Sequence, residues 1–166
     1  MKYILIVLLF LMVALIQASV LPAFPVFGVI PNLVLVLAVC WTVVRGQQEA
    51  MVVVPLASVW LGIVGDQPVG ITLLATIPIV LLADIEVLRF GRSEFVLTVV
   101  LVFISTMFYE LVLFIALRLQ GGNVSWFSAF VHVVVPVGLA SVLFTPPVYW
   151  LVRKRSAGPK RIRAFV

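Results

Sequence analysis

The chain has 166 residues, 64% hydrophobic and 10% charged, with 11 Lys and Arg against 6 Asp and Glu and a mean hydropathy of +1.33. A soluble domain is roughly half apolar and a quarter charged, so this composition excludes a soluble catalytic cleft and predicts an all-α, polytopic transmembrane bundle. The formal charge of +5 does not point to nucleic acid, because the basic residues sit in turns and a tail rather than on one soluble face.

A spanning helix needs roughly 17–25 apolar residues, and six hydrophobic segments are predicted. The first covers residues 3–21. Lys2 ahead of Tyr3–Ile16 and Gln17-Ala18-Ser19 has the layout of a cleaved signal peptide, but the stretch is read as a retained first span. Pro22, Pro25 and Gly28 then lead to a second segment at 30–44, and Arg45-Gly46-Gln47-Gln48 to a third at 49–65. Both are short for full spans. Asp66-Gln67-Pro68 precedes the fourth, 69–87, Arg89-Phe90-Gly91-Arg92 the fifth, 94–117, and Gln120-Gly121-Gly122-Asn123 the sixth, 127–152. Every connection carries Gly, Pro or charge, which is turn chemistry. Pro55, Pro78, Pro136, Pro146 and Pro147 fall inside or at the ends of segments. They predict kinked packing, with a broken helix lining a cavity as the functional alternative.

Charge sets the expected orientation. With the N-terminus inside, Lys2, Arg45, Arg89, Arg92, Arg153, Lys154, Arg155, Lys160, Arg161 and Arg163 fall on the cytoplasmic side, and Arg118 alone falls outside. Six crossings return the C-terminus to the same side. A five-crossing chain would need a continuous helix through Asp66-Gln67-Pro68, where proline opposes it. Residues 1–152 are therefore predicted to form a six-span transmembrane bundle. Residues 153–166 form a basic cytoplasmic tail, which, with the other inner basic residues, contacts anionic lipid.

Few residues are available for chemistry. Glu110 sits well inside the fifth segment, where a carboxylate costs several kcal/mol unless paired, protonated or hydrated. Counting ~1.5 Å per residue puts His132 and Gln17 at comparable depth. An outer-leaflet cluster of Gln17, Glu110 and His132 is predicted, with Asn32 and Tyr109 as further members. It can serve as an interhelical hydrogen-bond lock, each bond contributing about 1 kcal/mol, as a recognition site for a partner helix or ligand, or as part of a proton relay. Gly62, Gly65, Asp66, Pro68 and Gly70 predict a tight extracytoplasmic turn, with an exposed contact for an outer partner as the rival reading. Asp84 and Glu86 with Arg89 and Arg92 read as a solvated interfacial cluster, and Arg45 and Glu49 are placed to pair. With Cys40 as the single cysteine, no intrachain disulfide or thiolate metal site is expected. No His-x-x-x-His pair, Gly-x-Ser-x-Gly elbow or phosphate-binding glycine loop is present. No catalytic, cofactor-binding or metal-binding residue is predicted, and the chain is expected not to be an enzyme.

Several short motifs share an order. Leu15-Ile16-Gln17 precedes Leu21-Pro22, and Gly28-Val29-Ile30-Pro31-Asn32-Leu33 opens the second segment. Arg45-Gly46 and Glu49 mark the inner turn, Gly62, Gly65, Asp66, Pro68 and Gly70 the outer one, then Tyr109-Glu110, Thr145-Pro146 and the basic terminus follow. Across its full length the chain resembles the MreD family, small integral-membrane rod-shape-determining proteins of bacteria. That family usually has Asp where this chain has Asn32. The resemblance implies a non-enzymatic scaffold of the cell-elongation machinery. Its partners would be an MreC-like bitopic protein, the elongation-specific glycan polymerase and transpeptidase, and indirectly the actin-like MreB filament. The six-span topology is also similar to the substrate-binding subunits of energy-coupling-factor vitamin transporters. The rival function is therefore a small-molecule binding subunit, with Gln17, Asn32, Glu110, Asn123, Trp126 and His132 lining an outward-open pocket. Such a cavity would favour the rival; co-purifying elongation partners would favour the scaffold. Gly62, Ala14 and Ala18 are the small residues expected at close helix contacts.

Overall fold

Helix ends fall where Gly, Pro and Asn interrupt the apolar runs. The computed structural model describes residues 2–23, 28–65, 68–83, 94–121 and 130–156. Among these, α1 is Lys2–Ser19, followed by a 3-10 turn at Leu21–Ala23; α2 is Leu33–Arg45 and α3 Gln47–Val64. Helix α4 is Val69–Ala83, α5 Glu94–Leu119 and α6 Val135–Ser156, the last entered through a π-helical segment, Phe130–Val134. Each predicted segment overlaps one of these helices, and the described fold is all-helical.

Two connections show the local causes. Only Gly46 separates α2 from α3, at φ 89°, a left-handed conformation that favours glycine. Its N–H closes the last turn of α2 on the Thr42 carbonyl at 2.9 Å, while its own carbonyl accepts from Ala50 N–H at 3.2 Å. At the start of α6, Pro136 cannot donate to the preceding turn, and the wider π turn lies immediately before it. Helices α3, α4 and α6 run on through Pro55, Pro78, and Pro146 with Pro147.

Helix α2 is the axis of the bundle. It packs against all five other helices, and every residue from Val34 to Thr42 is buried. A helix apolar on all sides belongs in such a position. Around it lie Phe10 and Ala14 of α1, Val53, Ala57 and Leu61 of α3, and Ala75 and Ile79 of α4. Helix α5 presents Thr98, Leu101, Val102, Ser105, Thr106 and Tyr109 inward, a stripe with helical spacing. Helices α3 and α4 are tied by hydroxyls: Thr72 donates to the Ser58 carbonyl at 2.9 Å, and the Ser58 and Thr76 hydroxyls bond to each other.

The outward surface is hydrocarbon, with Ile4, Met12, Ile63, Leu74, Leu81, Ile104, Leu143 and Trp150 exposed. Three helical stretches are long and apolar enough to cross a membrane: Ile4–Ala23, Glu94–Leu119 and Val131–Lys154. The apolar helices between them are shorter, Leu33–Arg45, Gln48–Val64 and Val69–Leu81. This is the surface of a membrane protein, with lipid as its solvent.

Candidate functional site: a polar cavity at the start of helix 2

The 13-residue α2 begins inside the bundle, with Asn32, Val34 and Leu35 all buried, where unpaired amides are costly. Each has a partner. Leu35 N–H donates to Asn32 Oδ1 at 3.1 Å and Val34 N–H to Gln17 Oε1, from α1, at 3.0 Å. Leu33 N–H reaches the Pro31 carbonyl at 3.2 Å and Val36 N–H the Asn32 carbonyl at 3.0 Å. Asn32 N–H donates to Ser141 Oγ of α6 at 3.4 Å. One buried helix end thus ties α1 and α6 to α2.

Beside this end lies a cavity of about 330 Å³. Gln17 and Ala18 of α1, Asn32, and Tyr109 and Glu110 of α5 border it, with Leu61, Val64 and Leu113 as apolar wall and Gly65 at the end of α3. Glu110 is half-buried and lies nine residues before the end of α5, or about 13 Å along the axis. Among the described residues its carboxylate makes no hydrogen bond or ion pair.

Four residues expected to cluster, Gln17, Asn32, Tyr109 and Glu110, thus meet at one cavity. His132 does not join them: it is exposed on the π-helical segment and does not border the cavity. Gly62 is buried in α3, whereas Pro68 and Gly70 are exposed. Ala14 is buried, and Ala18 is exposed at the cavity edge. Asp66, Asp84, Glu86, Arg89, Arg92, Asn123, Trp126, Lys160, Arg161 and Arg163, and the side chains of Lys2 and Arg155, lie outside the described residues.

The opposite end of the bundle carries a second polar layer. Trp41 Nε1 donates to Glu49 Oε2 at 3.0 Å, and Arg45 stacks 5.5 Å above the Trp41 ring while its Nη1 lies 3.9 Å from Glu49 Oε1. The Arg45–Glu49 pairing expected from spacing is present, and Trp41 is an addition that spacing did not signal. Tyr149 donates to Glu94 Oε2 at 3.4 Å, fastening the end of α6 to the start of α5. Arg153 is exposed, and Lys154 sits 5.0 Å over the Trp150 ring. Ser141 and the Ser58–Thr72–Thr76 set were also missed, because hydroxyls carry no signal in a hydropathy profile.

No family model, curated protein or solved structure matches the chain. The cavity itself offers a carboxylate, a phenol and two side-chain amides against an apolar wall.

Proposed function

We propose that this chain is a non-enzymatic scaffold subunit of the bacterial cell-elongation complex, of the MreD type, crossing the cytoplasmic membrane six times with both termini in the cytosol. What supports the reading is convergence. Gln17, Asn32, Gly65, Tyr109 and Glu110 belong to four separate stretches that carry the resemblance, and all border one cavity. Elsewhere in the interior, hydroxyls tie α3 to α4, and the outside is an apolar surface suited to partner helices. In this reading Arg45, Arg153 and Lys154, at the end opposite the cavity, face the cytosol with the basic tail. The cavity then opens toward the outer leaflet, and the partners are an MreC-like bitopic protein with the glycan polymerase and transpeptidase of lateral wall synthesis.

The test is photocrosslinking in native membranes, one position at a time along the exposed faces of α1, α3, α4, α5 and α6. Contiguous helix stripes that capture elongation-complex proteins are expected. Capture of none of them from any position refutes the scaffold.

One observation favours the rival binding subunit, namely the cavity. Its volume stands at the low end of the ~300–1,000 Å³ typical of small-molecule sites. Two of its polar side chains, Gln17 and Asn32, already spend their carbonyl oxygens on α2. That leaves few groups to recognise a vitamin, and the scaffold is preferred. Native mass spectrometry showing a stoichiometric soluble metabolite, without elongation partners, would reverse the order.

A further inference from the structure

The chemistry of the cavity's free groups defines what it takes. Gln17 and Asn32 must present their oxygens to Val34 N–H and Leu35 N–H, because a backbone amide can only donate. Their amide orientation is thereby fixed, and each keeps an NH2 group that makes no hydrogen bond among the described residues. The cavity lining therefore combines two amide donors and a phenol with the Glu110 carboxylate. A purely anionic ligand would leave the Glu110 carboxyl without a donor of its own, and a simple cation would leave both NH2 groups unused. A ligand with oxygen acceptors and a primary ammonium satisfies both.

We propose that the cavity binds a primary-ammonium zwitterion, the chemistry of the phosphoethanolamine headgroup, with phosphate oxygens on Gln17 and Asn32 and the ammonium on Glu110. A lipid is the favoured source. The site's remaining wall is apolar, the surrounding surface is hydrocarbon, and Ala18 at the cavity edge is itself exposed. An acyl chain can therefore stay outside while the headgroup enters. The ammonium supplies the countercharge that Glu110 lacks among the described residues, and a charge-assisted hydrogen bond is stronger than a neutral one. Choline has the same charge but no N–H donor, so it cannot make that bond. This inference deepens the scaffold reading by making one lipid a part of the bundle, and it rests on that reading's placement of the cavity in the outer leaflet.

The experiment uses full-length protein, delipidated in neutral detergent and examined by native mass spectrometry with phosphatidylethanolamine or phosphatidylcholine of matched chains. We expect one phosphatidylethanolamine retained on the order of tenfold over phosphatidylcholine, the value of one charge-assisted bond. Glu110→Gln should abolish the preference. Ala18→Trp, which narrows the opening from an exposed position, should lower retention while leaving the thermal unfolding of the bundle near wild type. Equal retention of the two lipids, or an undiminished preference in Glu110→Gln, overturns the site. Free O-phosphoethanolamine forms the second arm: failure to displace the lipid supports the headgroup, and displacement at equal concentration supports the zwitterion site with a soluble source. Lost lipid preference with partner crosslinks intact sinks this inference alone; absent crosslinks with the preference intact sink only the scaffold.

Discussion

Gln17→Leu tests the central structural claim, that a side chain of α1 completes the buried start of α2. The replacement keeps a comparable apolar bulk and removes the acceptor for Val34 N–H, now made at 3.0 Å. Val34 is fully buried, so its amide loses a partner rather than exchanging it for bulk water. A buried donor left unsatisfied costs about 1–3 kcal/mol in soluble proteins. Interhelical bonds in a membrane average about 0.6 kcal/mol and reach about 1.7. The site lies toward the upper end of the membrane range, because the amide is held at a helix terminus with no intrahelical alternative. A loss of about 1.5 kcal/mol follows. It corresponds to roughly tenfold in the folding equilibrium and, on the scale of soluble domains this size, to about 3–6 °C in Tm. Reversible unfolding in mixed micelles measures it. Gln17→Met separates the bond from packing, since a flexible apolar side chain of similar length should lose as much. A loss under about 0.3 kcal/mol in both variants would refute the assignment of Gln17 as a cap.

Three further outcomes follow from contacts elsewhere in the bundle. Ser58→Ala and Thr76→Val should each cost less than about 1 kcal/mol, because Thr76 also donates to the Thr72 and Leu73 carbonyls at 3.0 Å. Their double-mutant cycle should show a coupling of about 0.5 kcal/mol, and strict additivity would remove the α3–α4 hydroxyl bond from the account. At Gly138 an added Cβ meets Phe103 Cε2 at 3.1 Å and Met107 Sδ at 3.5 Å. Gly138→Val should therefore cost about 1–3 kcal/mol by overpacking, and Phe103→Leu should recover part of it; no loss in thermal stability would mean that α5 and α6 are not closely packed there. Trp41→Phe keeps a ring beneath Arg45 but loses the bond to Glu49. It should cost about 1 kcal/mol, more than Glu49→Gln, which keeps an acceptor and gives up only a half-exposed ion pair; the reverse order in unfolding titrations would make the ion pair the main tie.

Lipid as solvent explains what could be read from the residues and what could not. Six helices were legible because hydrocarbon demands long apolar runs, and their ends because Gly46, Pro22, Asn32 and the other breakers interrupt those runs. Which face turns inward was not legible by seeking the more hydrophobic side, since the outer face of α5, with Phe95, Val96, Val100, Ile104 and Phe108, is at least as apolar as the inner one. The inward face is instead marked by small polar side chains. In helices α3 to α6, Ser58, Thr72, Thr76, Thr98, Ser105, Thr106, Ser141 and Thr145 are all at most 2% exposed. Ser58, Thr72 and Thr76 bond across α3 and α4, Thr98 and Thr145 bond to carbonyls of their own helices, and Ser105 and Thr106 pack inward without a hydrogen bond among the described residues. The same reasoning explains the site. Depth can be counted along a helix, and it brought Gln17 and Glu110 to one level. Direction around the axis changes by about 100° per residue, and counting depth gave His132 no direction, which is why it was expected in the cluster although it is exposed and away from the cavity. The central place of α2 follows from two properties taken together: residues 33–41 contain no charged residue, and the helix is too short to reach both faces of a bilayer. A short helix on the axis must bury one terminus, a buried terminus must be capped by its neighbours, and the space above it becomes a cavity lined by the capping side chains. On this reasoning the cavity is a consequence of helix length. Extending α2 by one turn, through insertion of four alanines after Asn32, should close the cavity and uncouple Gln17 from the helix end.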